Sequence, residues 1–261
     1  VSRAAHFAQR WAFTLARSVE ALTVGVLSKP RRRLIDVVCA HYGYAPGRVA
    51  GRLPVVSVAQ AVDEATPVQL RAPEAVDGNV TTLELLVLAR LVAAHRPCRL
   101  FEIGTFDGRT TLNLAANAGP EARVWTLDLP PASVDATALP LAPHDRAYVE
   151  KPVAGSRFAG SDVAGRIVQL WGDSARVATP ELDGTMDFVF VDGAHSREYV
   201  LSDAAFARRL LGPRGGVVAF HDYGAWDGVT EAVDTLAAGD PVWRGLRAVA
   251  GTSLAIVDLS R

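Results

Sequence analysis

The pattern of apolar and polar positions resolves into short apolar runs, each closed by a polar residue and each followed by a helical period. Residues Arg99–Ile103, Val124–Leu127, Arg166–Trp171, Asp187–Val191 and Val217–Phe220 read as strands. The run Phe188–Val191 is unbroken, as suits a parallel sheet buried on both faces. Between the runs, apolar spacings of three and four predict helices over about 81–95, from near Thr110, over 196–211 and over 226–238. Two closing strands follow, around Leu246–Ala250 and Ser253–Asp258. Five strand–helix alternations and a terminal pair predict an α/β fold. Its sheet is doubly wound, mostly parallel and seven-stranded, with an antiparallel edge and with ligands at the strand carboxyl ends.

Ahead of this lies a helical, irregular extension over 1–80, leaving 81–261 as the main domain. Phe7, Trp11, Leu15, Val19, Leu22 and Val26 give an amphipathic helix over 4–28, followed by the basic group Lys29-Pro30-Arg31-Arg32-Arg33. Arg10, Arg17 and Glu20 interrupt the run, which falls short of the ~20 apolar residues a span needs. No cleavage site of small residues follows it. Peripheral contact with an anionic membrane surface is one reading of this helix. Packing on a partner subunit, as in a homo-oligomer, or on the main domain is the other. A second irregular stretch, 129–165, is rich in Pro, Ala and Ser and reads as a long loop or lid; His144 in it reads as a solvated histidine.

Composition changes this picture little. At 261 residues, with 49% hydrophobic and 21% charged positions, the chain can build a large core. A net charge of −1 carries no footprint for nucleic acid. Cys39 and Cys98 match no metal or redox spacing, which suits a reducing cytoplasm; Cys98 reads as a small buried hydrophobe.

The candidate chemistry begins at Glu102-Ile103-Gly104-Thr105-Phe106-Asp107-Gly108-Arg109-Thr110-Thr111. Gly104 allows a sharp turn and close approach of a ligand, Gly108 does the same at the helix start, and Thr110 or Thr111 is a candidate cap. Twenty residues past Gly108, Asp128 closes the next strand, placed to accept from ribose hydroxyls, with Leu129 beside it. A dinucleotide fingerprint is excluded, because Phe106 stands where the second glycine would fall and Glu102 would repel a phosphate while suiting an amino group. The pattern E-x-G-x-x-x-G-x-T with a distal Asp resembles the first motif of class I S-adenosylmethionine (SAM) methyltransferases. That resemblance implies SAM as cofactor, held by Glu102, Gly104, Thr105, Phe106, Gly108, Thr110 and Thr111 near the methionine part. It also implies Asp128 and Leu129 at the ribose, and Asp173 and Ser174 at the adenine. Asp173 or Ser174 can equally cap a helix following the third strand.

Asp192, His195, His221 and Asp222 also fall at strand ends, so they share one rim with the acids above. Carboxylates and a histidine suit a divalent ion such as Mg²⁺ or Mn²⁺, which would orient two hydroxyls and acidify one. The motif Asp192-Gly193-Ala194-His195-Ser196-Arg197-Glu198-Tyr199, followed by Gly215-Gly216-Val217-Val218-Ala219-Phe220-His221-Asp222-Tyr223, is similar to the macrocin- and sugar-O-methyltransferase branch (methyltransferase family 24-like) over about 80–258. The resemblance implies Asp192 and Asp222 as Mg²⁺ ligands, Asp192 also lying at the cofactor, and His195 as general base. His221 is a candidate third ligand at a position where metal-dependent relatives commonly carry a second acid. With an ordinary pKa near 6.5, His195 would be mostly free to take a proton at neutral pH. Tyr223 and Trp226 are expected to shape the acceptor pocket. The reading is a SAM-dependent O-methyltransferase acting on a hydroxyl of a small polar acceptor, the resemblance implying a sugar or glycosylated natural product. The alternatives are a hydroxylase-like member of the same fold and a membrane-surface or scaffold protein with a vestigial SAM site.

Overall fold

The computed structural model describes residues 3–27, 50–150 and 154–260. Contacts divide the chain into two units, Val1–Arg48 and Val49–Arg261. The described residues of the first form helix α1, Arg3–Leu22, and a 3₁₀ turn, Val24–Leu27. The helix expected to residue 28 ends at Leu22 and gives way to the 3₁₀ turn. Phe7, Trp11, Leu15 and Val19 are exposed. The basic group at 29–33 lies outside the described residues, and no described helix is long and apolar enough to cross a membrane.

The second unit is an eight-stranded sheet flanked by helices. Its elements are β1 (Val55–Val56), α2 (Val58–Ala61), α3 (Thr82–His95), β2 (Arg99–Ile103), α4 (Arg109–Asn117), β3 (Arg123–Asp128), α5 (Asp145–Val149) and β4 (Ile167–Trp171). There follow β5 (Phe188–Val191), α6 (Arg197–Leu210), β6 (Val217–Phe220), α7 (Asp227–Gly239), β7 (Arg247–Val249) and β8 (Ala255–Asp258). The order across the sheet is β1-β7-β8-β6-β5-β2-β3-β4. Strands β4, β3, β2, β5 and β6 run parallel, and β8 runs antiparallel to both its neighbours. The two-residue β1 adds an eighth strand to the seven expected, by pairing with β7. The contacts place the start of this unit at Val49.

Two apolar layers cover the sheet. Phe101, Ile103, Val189, Val191 and Val218 pack with α6 and α7, and Leu100, Val124, Phe188, Phe190 and Ala219 pack with α3 and α4. This alternation follows from the two-residue period of strand side chains. Helix α3 opens with a capping box, Thr81 and Glu84 bonding each other's main-chain nitrogen. Cys98, expected to be buried, is exposed, because burial on β2 starts only at Leu100.

Arg109 pins residues 72–80 to the start of α4. Its side chain is fully buried and donates to the carbonyls of Ala72 at 2.7 Å, Val80 at 2.8 Å and Pro73 at 2.9 Å. An Arg109→Met variant should lose on the order of 3 kcal/mol, since buried carbonyls left without donors cost roughly 1–3 kcal/mol each. Urea unfolding followed by circular dichroism would read this; an unchanged midpoint would show that water replaces the guanidinium.

Candidate active site

Because five adjacent strands are parallel, their carboxyl ends fall on one edge. The polar residues there lie in the order Asp173, Asp128, Gly104, Asp192 and His221. The turn after β2 is tight. Gly104 has φ +97°, and a Cβ there would come 1.9 Å from the carbonyl oxygen of Asp192. Phe106, where a dinucleotide site would carry glycine, also holds a left-handed backbone, φ +48°. A non-glycine residue in that region stores on the order of 1–3 kcal/mol of strain. Gly108 is the N-cap of α4 and has no side-chain cap.

Thr110 and Thr111 do not serve as caps. Thr110 is buried, and the Thr111 hydroxyl donates to Glu102, where a buried carboxylate offers the stronger acceptor. Glu102 is fully buried on the α3/α4 side of the sheet rather than displayed at the rim. Its Oε2 also accepts from Thr126 at 2.6 Å; Thr126 and Thr105 hydroxyls are 2.7 Å apart, and Gln169 donates to Thr105 at 3.0 Å. Glu102, Thr126 and Gln169 are in register across β2, β3 and β4, so they form one polar row beneath the glycine turn. The Thr111 and Thr126 hydroxyls both donate to Oε2; Oε1 is buried with no hydrogen-bond partner.

Burial lifts the Glu102 carboxyl to about 8, although the Thr111 and Thr126 hydroxyls pull it down. A carboxyl that titrates higher folded than unfolded contributes stability that is complete below its unfolded value near 4.5 and lost as pH rises through about 8. Burial lifts Asp203 to about 7 in the same way. The Glu102→Gln variant should therefore lose less unfolding free energy than the parent between about pH 5 and 9. Urea titrations across that range test it, and parallel slopes would mean that Glu102 stays ionised.

Asp128 is buried at the end of β3 with Leu129 half-buried beyond it, and Asp128 pairs in register with Trp171. Asp173 is engaged by protein groups. It accepts from the Ala138 nitrogen at 2.6 Å, the Ala175 nitrogen at 3.0 Å and the Tyr199 hydroxyl at 2.9 Å. No helix follows β4, so neither Asp173 nor Ser174 caps one; Asp173 instead ties the 129–166 segment to the sheet. That segment is no featureless loop, since it carries 3₁₀ turns and α5.

On the other side of Gly104, two histidines are threaded through four carboxylates. His221 Nδ1 lies 2.9 Å from Asp192 Oδ1 and 3.1 Å from Asp222 Oδ2, and its Nε2 lies 3.3 Å from Glu84. Glu84 also accepts from the nitrogen and hydroxyl of Ser253 at 2.7 and 2.8 Å. Burial would raise Glu84, but His221 draws it down to about 2. Burial opposes the charged form of His221, yet Asp192 and Asp222 hold it well above the usual histidine range. Asp222 is held well below the carboxylate range by His221 and His195 despite its burial, and its backbone is left-handed, φ +64°.

His195 Nδ1 lies 2.5 Å from Asp145, its Nε2 lies 2.9 Å from Asp222, and its ring stacks on Trp226 with centroids 4.2 Å apart. Burial would lower its pKa, but the two carboxylates push it up to about 9, so the ring carries a proton at neutral pH rather than being mostly free to accept one. Tyr223 does not line an acceptor site. Its buried hydroxyl donates to Asp234 at 2.8 Å and accepts from the Leu53 nitrogen at 2.9 Å, tying the chain start of this unit to α7. Among the described residues, Asp192, His221 and Asp222 alone bring three possible ligand atoms within 4.8 Å of one another. His221 Nδ1 lies about 3 Å from an oxygen of each aspartate, a separation that suits adjacent ligands of an ion bonded at ~2.1 Å. The outer contact of His221 with Glu84 is the kind that orients a metal-binding imidazole. Asp145 and Glu84 carry no sequence signal as site residues, except that Thr81-x-x-Glu84 reads as a capping box.

Residues 101–223 match a family described as a methyltransferase domain. No curated protein matches the chain. Among solved structures, SAH-bound methyltransferase PaMTH1 of Podospora anserina aligns at 17% identity over 71% of this chain and 81% of that one, with a TM-score of 0.51. The O-methyltransferase TomG of Streptomyces achromogenes, involved in tomaymycin synthesis and solved with SAM, aligns at 19% identity over 71% and 83%, with a TM-score of 0.48. The sheet order agrees with the fold of the Podospora anserina methyltransferase, and the matched segment, 101–223, runs from β2 to just past β6.

Proposed function

We propose that the chain is a SAM-dependent O-methyltransferase whose acceptor is a hydroxyl of a small polar molecule, a sugar or glycosylated natural product being the leading class. The observation that carries this reading is the position of His195, its Nε2 turned to Asp222 on the same sheet edge as the Gly104 turn. The cofactor fits the residues present. Gly104, at φ +97°, keeps the turn after β2 packed against the Asp192 carbonyl, and Glu102 Oε1 beneath it is buried with no hydrogen-bond partner. Asp128 suits the ribose, and Ser174 stands near the adenine end of the edge. Asp173, already engaged by three donors, keeps less capacity for adenine than the motif implies.

When bound, SAM supplies a methyl group on a positively charged sulfur. Asp192, His221 and Asp222 would hold a divalent metal, which supplies a Lewis acid for the acceptor oxygens; a nitrogen donor favours a borderline ion such as Mn²⁺ over Mg²⁺. In its deprotonated form, which grows as pH rises toward about 9, His195 takes the acceptor's proton at Nε2. Asp222, 2.9 Å away, compensates the resulting imidazolium, and Trp226 fixes the ring plane.

Calorimetric titration with SAM, with and without Mg²⁺ or Mn²⁺, tests the cofactor. Transfer of labelled methyl to a panel of sugars and vicinal diols tests the reaction. The Asp128→Ala variant should bind SAM more weakly by about 1.5–3 kcal/mol, the worth of a hydrogen bond to a charged group. Unchanged affinity removes Asp128 from the site, absence of SAM binding to the parent chain overturns the reading, and methyl transfer to any acceptor rejects a hydroxylase.

A further inference from the structure

The segment between β3 and β4 reaches His195 through one carboxylate. Asp145, the first residue of α5, is buried at 3% exposure although its neighbours His144 and Arg146 are exposed. Its two oxygens are used differently. Oδ2 accepts from main-chain nitrogens, that of Ala142 at 2.8 Å within the segment and that of His195 at 3.1 Å across it. Oδ1 takes the imidazole Nδ1 of His195 at 2.5 Å. Both ring nitrogens are thereby engaged, Nδ1 by Asp145 and Nε2 by Asp222, while the ring face rests on Trp226. Tyr148, one turn further along α5, comes within 5.9 Å of the same ring and 6.3 Å of Phe106 in the glycine turn. A second anchor of the segment also reaches that turn, where the Gly155 nitrogen donates to the Phe106 carbonyl and Arg157 bonds Asp107 through main chain and side chain.

We infer that Asp145 is a positioning residue for His195: the segment brings the carboxylate that fixes which edge of the imidazole faces Asp222 and the acceptor. The inference rests on His195 being the group that serves the acceptor. Its physical content is a division of labour within one side chain. Oδ2 latches the segment to the strand end, and Oδ1 sets the ring. Docking of the segment and orientation of the histidine are then one event, because the same group performs both.

This division makes an informative variant available. In Asp145→Asn, the amide oxygen can keep the Oδ2 contacts to Ala142 and His195 nitrogens, but the amide nitrogen cannot accept from Nδ1–H. The full-length chain with ¹⁵N-labelled histidine should show a strongly downfield ring N–H resonance, assigned to His195 by its absence in His195→Gln. In Asp145→Asn that resonance should be lost while hydrogen exchange at the Ala142 and His195 amides stays as slow as in the parent. In Asp145→Ala both the resonance and the slow exchange should be lost. Asp135→Asn, which removes only an exposed ion pair with Arg146 on the same segment, should change neither.

With an acceptor from the panel above, Asp145→Asn should lower kcat by about 10- to 100-fold, the usual cost of removing an orienting partner, with little change in SAM affinity. An Asp145→Asn protein that keeps the downfield resonance, or one that loses it and turns over at the parent rate, overturns the proposal. The ring signature is read on the protein alone, so it is decided even where no panel member is methylated, an outcome that counts against the methyl-transfer reading instead.

Discussion

Substituting His195 by glutamine is expected to lower methyl transfer by about 10²- to 10⁴-fold, the contribution of a well-placed general base. Cofactor affinity should be unchanged, because His195 bonds only Asp145 and Asp222 and stacks on Trp226. The sign of the pH dependence follows from the two carboxylates. They raise the ring to about 9, so the proton-accepting form grows as pH rises toward that value. The parent rate should climb across the neutral range and level off above about 9, and His195→Gln should lack that limb. Initial rates against pH, with cofactor saturating, give both results. A variant within a few-fold of the parent would take His195 out of the chemistry and leave Asp222 as the nearest candidate base.

The second large effect is expected at Gly104. Alanine there must adopt φ +97°, which costs roughly 1–2 kcal/mol for an L-residue, and its Cβ would overlap the Asp192 carbonyl at 1.9 Å. The overlap is with main chain on the neighbouring strand, so no side-chain rotation relieves it; the ends of β2 and β5 must part. Gly104→Ala should therefore abolish calorimetrically detectable SAM binding and lower the melting temperature. Gly119→Ala is the control, since its added Cβ meets nothing within 4 Å. Binding of SAM to Gly104→Ala at parent affinity would show that the cofactor does not use this turn.

The strands, their order of appearance and the acids at their tips were legible because apolar runs and glycine turns are local signals. Asp128, Asp192, His221 and Asp222 do fall at or just past the ends of adjacent parallel strands, whereas Glu102 is buried within β2. What escaped depends on contacts between distant segments. Thr111 reads as a cap until Glu102 is seen buried beneath it, and Tyr223 reads as a pocket residue until Asp234 and Leu53 claim its hydroxyl. Asp145 is 50 residues from His195 and lies in a stretch with no periodicity, so nothing local announces their contact. The ordinary pKa expected for His195 failed for the same reason: the two carboxylates that raise it come from other segments.

Glu84 carries a consequence for how this protein could change over time. One carboxylate closes the cap of α3, receives Ser253 and backs His221. A shorter, longer or neutral side chain at that position would alter helix onset, the β7–β8 connection and the charge balance of the rim together. Drift at residue 84 is therefore barred by three demands with different optima, whereas His221 itself answers mainly to the site. Variation that retunes the rim has an open route through His221 and a closed one through Glu84.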